Sequence, residues 1–328
     1  MKRQPQKNHH HFRDLVIMLA AGIGIVLIFV FVGRAQAGGF QVGIADPGAA
    51  VIPSAQVSAL GLTVERRSVI YHGESAFSDF LSWTPGLRHI AAVWGMPASA
   101  PSTEALRARY CGFVASLLER YPQISDVVIW NEPNLAYFWG KGADAYAQLV
   151  QACSQIIRSH GARVVAPGMS PSTTQGVADF AGKIAARGRH LIDVWDQHDY
   201  SAYSLAEKIA SVRAAFGWRV PVLVGESGLT PAYLMQKAYC QGAVGWLNFK
   251  LRTDGDWLPS GLLDPSGAPN SRWSAFQSTA AAIRGGTLNC ASAPPPPAPH
   301  QLPSRSERVA QKLGEVGGWA RDAYAVAP

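Results

Sequence analysis

The sequence predicts one α/β domain, a closed (β/α)8 TIM barrel preceded by an N-terminal transmembrane or signal segment. Three observations carry this reading. After residue 38, eight apolar strand-like stretches alternate with helix-like ones, the pattern of parallel strands joined by crossovers. Several strands close on a polar residue (Arg67, Glu132, His198, Glu226, Asn248), as when the loops of one barrel face share a chemistry. No GxGxxG follows the first strand, which disfavours an open, doubly wound dinucleotide-binding sheet.

The N-terminal elements come first. Residues 1–14 are basic (Lys2, Arg3, Lys7, Arg13), and residues 15–33 carry no charge; a membrane-spanning helix needs about 20 residues. The positive-inside rule keeps the N-terminus in the cytoplasm and puts the chain after residue 34 outside. Ala35-Gln36-Ala37 offers an A-x-A cleavage site. The apolar run is longer than a signal-peptide core, and Arg34 separates it from that site. Segment 15–37 therefore reads as an anchor ahead of a cleaved signal, with the membrane a partner through 15–33 if uncleaved. Either way the domain is exported, extracytoplasmic and either anchored in the cell membrane or secreted.

The barrel is expected over residues 38–290. Its strand stretches are 40–45, 62–70, 87–94, 125–130, 162–167, 190–198, 220–225 and 243–251. Helical periodicity is clearest at 103–120, 143–159, 176–187, 204–216 and 230–241. In the first of these, Leu106, Tyr110, Phe113, Val114, Leu117 and Leu118 follow the i, i+3, i+4, i+7 rule. Pro101 and Thr103 mark its start, and Tyr121-Pro122 its end. Residues 291–328 hold a proline-rich linker (APPPPAPHQLP) and a tail read as frayed ahead of a docking helix. No internal repeat is present.

Composition narrows the function. The chain has 328 residues, 48% hydrophobic and 16% charged, with a net charge of +7. Part of that charge lies before the apolar span, and no Lys/Arg stripe interleaves with aromatics, so no nucleic-acid partner is expected. No Cys/His spacing suggests a metal site, no cofactor motif is found and no protein partner is inferable. His9-His10-His11 reads as a solvated run. Cys111 and Cys153 fall on consecutive helices, and Cys240 and Cys290 bracket the end of the barrel. Pairing in that order would staple neighbours, but four cysteines allow three connectivities and free buried thiols are an equal alternative.

The chemistry concentrates at two strand ends. Val127-Val128-Ile129-Trp130-Asn131-Glu132-Pro133-Asn134 is an apolar run that stops on an Asn-Glu pair, where a proline forbids further strand. Val220-Pro221-Val222-Leu223-Val224-Gly225-Glu226-Ser227-Gly228 repeats the arrangement. A carboxylate beside an amide donor and an indole suits the proton donor of glycosidic cleavage, and two such carboxylates suggest a sugar hydrolase. Each Glu alone has capping of the following helix as its lesser reading; both in this pattern favour chemistry more strongly.

Trp130-Asn131-Glu132-Pro133-Asn134, His198-x-Tyr200 and Gly225-Glu226-Ser227-Gly228 resemble the strand-4, strand-6 and strand-7 signatures of clan A glycoside hydrolases, nearest to families 39 and 5. The resemblance implies that Glu132 is the general acid/base, protonated at rest, and Glu226 the nucleophile of a retaining double displacement. It implies that Asn131 donates to the sugar 2-hydroxyl, that Tyr200 and His198 orient Glu226, and that Arg67 supports the nucleophile, with Arg66 one position away and facing oppositely. Trp246 is expected as the aromatic floor, and Trp139 and Trp257 as stacking surfaces in loops. The chain departs from the family at Asp199, where proline is usual, and at Gly225-Glu226-Ser227-Gly228, usually closer to Thr-Glu-Phe-Gly. The implied substrate is an oligo- or polysaccharide. A non-catalytic carbohydrate-binding barrel and a transglycosylase are the alternatives.

Overall fold

The structure, a computed structural model, describes residues 39–200, 205–217, 220–253 and 260–291. The apolar span 15–33, Trp257 and the tail beyond 291 lie outside the described residues. No helix among the described residues is long and apolar enough to cross a membrane.

Eight parallel strands close in sequence order: β1 (Gln41–Ala45), β2 (Val64–Ile70), β3 (Arg88–Trp94), β4 (Ile124–Ile129), β5 (Arg163–Met169), β6 (Val194–His198), β7 (Val222–Ser227) and β8 (Gly245–Phe249). The β1–β8 pairing, Gln41 opposite Gly245 through Ala45 opposite Phe249, seals the ring. Seven α-helices are described: α1 (Ser54–Leu60), α2 (Glu104–Arg120), α3 (Gly142–Ser159), α4 (Thr174–Arg187), α5 (Leu205–Phe216), α6 (Pro231–Cys240) and α7 (Ser271–Arg284). Each follows one strand except β2, whose connection to β3 over residues 71–87 carries no helix.

Two apolar cores result from the period-two alternation of the strands. Inward-facing Ala45, Val64, Ile90, Ala92, Val128, Val165, Val194, Leu223 and Leu247 fill the barrel. A larger set between strands and helices includes Val93, Val127, Ile129, Trp195 and Trp246. The predicted period of α2 is met by burial of Tyr110, Phe113, Val114, Leu117 and Leu118. The Thr103 hydroxyl accepts from Leu106 N at 3.3 Å, satisfying one of the free amides at the helix start.

Where the helix after β2 is missing, a buried polar knot holds the outer face. Glu65 accepts from Thr84 N at 2.5 Å, Thr84 Oγ1 at 2.9 Å and Arg67 at 3.0 Å. Phe77 sets its ring edge-on to Phe113 and Tyr121, pinning the segment to α2. The cysteines pair as Cys111–Cys153, joining α2 to α3, and Cys240–Cys290, joining the end of α6 to the segment after α7.

Besides an extra residue at the start of β4, where Ile124 to Asp126 opposes His89 to Ile90, two strands carry one nearer the site. On β5, Ala166 to Met169 spans what Trp195 to Gln197 spans on β6. On β7, Leu223 to Glu226 opposes Asp196 to His198. Such bulges re-aim side chains at the rim of a sheet, and β6 ends between the two.

Candidate active site

At the end of β4 the backbone turns sharply. Trp130 and Glu132 both adopt left-handed conformations, with φ of 60° and 47°. Non-glycine residues occupy that region at a cost of about 1–3 kcal/mol, and only where the surroundings dictate it. The surroundings here are explicit. Trp130 N donates to Val93 O at 2.9 Å, and Glu132 N donates to Gly168 O at 2.8 Å in the β5 bulge. The Trp130 indole donates to Phe138 O at 3.0 Å and is wedged among Tyr110, Trp139 and Tyr71.

This clamp, with the β7 bulge, brings Glu132 and Glu226 together. An oxygen of each and a ring nitrogen of His198 all lie within 4.8 Å of one another. His198 Nδ1 stands 3.0 Å from Glu132 Oε1 and 3.4 Å from Glu226 Oε2. The Tyr200 hydroxyl donates to Glu226 Oε2 at 3.1 Å, and Arg66 donates to Glu226 Oε1 at 2.8 Å. A second Arg66 nitrogen donates to Asn131 Oδ1 at 2.6 Å, which leaves the Asn131 amide nitrogen as the donor for a ligand. Asp46, at the end of β1, lies 3.9 Å from Arg66 and accepts from Ser68 N at 2.8 Å.

The electrostatics follow from burial and from this crowding. Burial alone would lower the imidazole of His198, but the carboxylates of Glu226, Asp196 and Glu132 outweigh it and raise the pKa to about 9. Burial raises the Tyr200 phenol well above its usual range, and Glu226 and Glu132 add to it, so Tyr200 stays a proton donor. Burial opposes charge on Arg66 too, yet Glu226, Asp196 and Asp46 raise its pKa overall. Burial raises the Asp46 carboxyl, Arg66 pulling against it. Glu132, His198 and Glu226 are near enough to share a cation, and the Arg66 guanidinium, 2.8 Å from Glu226, competes with one for that carboxylate.

Of the sequence-predicted residues, Glu132, Glu226, Asn131, His198 and Tyr200 converge. Three do not. Arg67 faces outward: its guanidinium binds Glu65 and the carbonyls of Gly48 and Ala50, and Arg66 holds the inward position, two residues beyond inward Val64. Trp246 also faces outward; it is fully buried against Phe276 of α7. Phe249, three residues on and only partly buried, packs with the barrel interior at the strand end instead. Trp139 is fully buried between Trp130 and Tyr146, its indole donating to Gly142 O at 2.9 Å, so it offers no face for stacking. Sequence reasoning placed Arg66 second to Arg67, and it missed Asp46 and Asp196. For Asp196 a signal existed, since it stands two residues before His198 on the same strand face.

The fold comes first: it is a closed (β/α)8 barrel, and solved structures of several glycoside hydrolases share it. The catalytic domain of GH30 xylanase C from Talaromyces cellulolyticus is similar with a TM-score of 0.54 at 14% identity, over 75% of this chain and 77% of that one. A glucosidase from Croceicoccus marinus gives 0.55 at 14% identity, over 74% and 67%. A variant of the GH128 (subgroup I) endo-beta-1,3-glucanase from Amycolatopsis mediterranei, in complex with laminaritriose and laminaribiose, gives 0.51 at 17% identity, over 74% and 100%. No protein-family model matches the chain, and no curated protein matches it. These likenesses establish the barrel; the narrower resemblance to families 39 and 5 is not carried by them.

Proposed function

We propose that the chain is a retaining glycosidase that cleaves O-glycosidic bonds of an extracytoplasmic oligo- or polysaccharide. The observation that carries this is the approach of Glu132 and Glu226 around His198, within 4.8 Å atom to atom. Retaining enzymes hold their carboxyls about 5–5.5 Å apart, whereas inverting ones leave about 6.5–9.5 Å for a water.

The partners divide the roles. Arg66 and Tyr200 both donate hydrogen bonds to Glu226 and fix its carboxylate in place, which suits the nucleophile. Glu132, on the turn after β4, is the proton donor. In the first step Glu226 attacks the anomeric carbon while Glu132 gives its proton to the departing oxygen. In the second, Glu132 takes a proton from water, which displaces Glu226 from the sugar. The Asn131 amide donates to the 2-hydroxyl, and Phe249 forms the apolar floor in place of Trp246. The likeness to a β-1,3-glucanase and a xylanase makes β-linked glucans and xylans the first substrates to try.

A panel of aryl β-glycosides and polysaccharides tests the reading. Glu226→Ala is expected to abolish turnover, with azide restoring it and giving inverted product. Glu132→Ala is expected to keep activity on substrates with good leaving groups, which need little protonation. Swapped rescue patterns would reverse the roles, and inactivity of the wild type on every glycoside, without glycan transfer, would reject the proposal in favour of a binding barrel. Export with residues 15–33 retained as an anchor belongs to the same proposal. N-terminal sequencing checks it, and a mature start at Gly38 would mean release.

A further inference from the structure

We infer that Asp196 is a positioning residue for the nucleophile, fastening from beneath the bulge that turns Glu226 into the barrel and balancing the two cations that hold it. The inference rests on the glycosidase reading for the role of Glu226, though the contacts stand without it.

Asp196 is fully buried on β6. By the period of the strand it shares the inward face with Val194 below and His198 above, one layer beneath the two glutamates. A carboxylate among aliphatic side chains is costly unless it is paired and hydrogen-bonded, so its partners show what it does.

The first partner is the backbone of β7. Leu223 faces inward, and plain alternation would then turn Glu226 outward. The extra residue between Leu223 and Glu226 reverses this, and β7 shows the same offset against β8, where Val224 to Ser227 opposes Trp246 to Asn248. A bulge leaves a backbone amide without its ladder partner. Here Gly225 N donates to Asp196 Oδ1 at 2.9 Å. Asp196 thus supplies the acceptor that the bulge lacks, next to the proposed nucleophile. Gly225 is fitted to it in turn, because a Cβ at that position would overlap the Asp196 carboxylate.

The second set of partners is charged. Asp196 Oδ2 lies 3.7 Å from His198 Nε2 and 3.9 Å from Arg66 Nε. Arg66 and His198 are the two cations that reach Glu226, so one buried carboxylate balances both from the side away from the substrate. The imidazole faces Glu132 from β4, Glu226 from β7 and Asp196 on its own strand, with Arg66 from β2 and Tyr200 beyond the end of β6. Asp46 of β1 meets the network through Arg66. Removing the charge of Asp196 leaves Arg66 with less compensation and weakens the imidazolium.

Three variants of the whole exported protein separate these contacts. Asp196→Asn keeps an oxygen for Gly225 N and loses the charge. It is expected to bring the alkaline limb of kcat/KM, and the His198 titration followed by NMR without substrate, at least one pH unit below wild type. Asp196→Ala and Gly225→Ala break the bulge contact from either side. Each is expected to lower kcat by ~100-fold with little change in KM, as for a reacting group displaced by about 1 Å. The double variant should be no worse than either single one. Wild-type kcat and an unmoved pH limb in the folded fraction of all three overturn the inference, even where folding yield falls. If the wild type cleaves no glycoside, the glycosidase reading fails by itself; the NMR titration still decides, an unmoved His198 midpoint overturning the positioning role and a lowered one upholding the charge contact.

Discussion

Arg66 and Arg67 are adjacent residues with separate duties. Arg66 spans Glu226 and Asn131 with two nitrogens of one planar group, a reach that lysine does not have. Arg66→Lys is expected to cost about 1.5–3 kcal/mol of a charge-assisted contact, hence a ~10–100-fold fall in kcat/KM with little loss of stability. Arg67→Lys is expected to lower the melting temperature through Glu65 and the loop carbonyls, with kcat unchanged. Steady-state kinetics beside thermal melts distinguish them, and the opposite pattern would show the two assigned in reverse. The sequence made this pair ambiguous because both residues have the same chemistry and only the facing of β2 separates them. Glu132, Glu226, His198 and Tyr200 needed no such choice, since each stands in a motif that ends a strand. At His198 the sign of pH dependence is fixed. Its pKa rises from an ordinary 6.5 to about 9 in the fold, so its stabilising contribution is complete below about 6.5 and disappears as pH rises through about 9. The stability difference between wild type and His198→Gln, measured by denaturant melts, should be flat below the first value and shrink towards the second.

Elements were more legible than side chains. Each of the eight strand stretches overlaps a strand of the structure, because most runs buried on both faces are apolar and are punctuated by glycine, proline and polar residues. The two with several buried polar side chains are β2 and β6. The errors have local causes. The stretch 190–198 started early because Leu191 and Ile192 are buried in the loop that leads into β6. The stretch 220–225 stopped early because an inserted residue leaves no trace in a hydrophobic pattern, although β7 runs on through Glu226 to Ser227. That same insertion decides which way the second glutamate faces. Trp246 was misplaced by a facing error, since an apolar strand reads alike on both sides. The cysteines belong to this scale as well. Cys111–Cys153 ties neighbouring helices across 42 residues, and Cys111→Ala/Cys153→Ala is expected to lower unfolding free energy by about 2–4 kcal/mol in denaturant melts. An unchanged midpoint would show the bridge to be dispensable.

For the whole molecule, what positions the chemistry is the closure of the ring, which brings residues 132 and 226 together through strands that are three apart in sequence order. The barrel is shared with enzymes of several specificities, so the fold alone does not set the sugar. One feature distinguishes how this ring will behave when warmed. The strand that carries Arg66 has no helix after it and is covered by residues 71–87, held by Glu65, Thr84 and the ring of Phe77. Segments of this kind open at lower free energy than the helix-covered remainder. A transient opening there would release Arg66 from Glu226 while both glutamates kept their places. Catalytic function is therefore expected to fade, reversibly, several degrees below the cooperative melt. Turnover rate and circular dichroism followed on one heating ramp, with amide exchange across 64–90, would reveal the gap; coincident curves would mean that the knot is as durable as the barrel it closes.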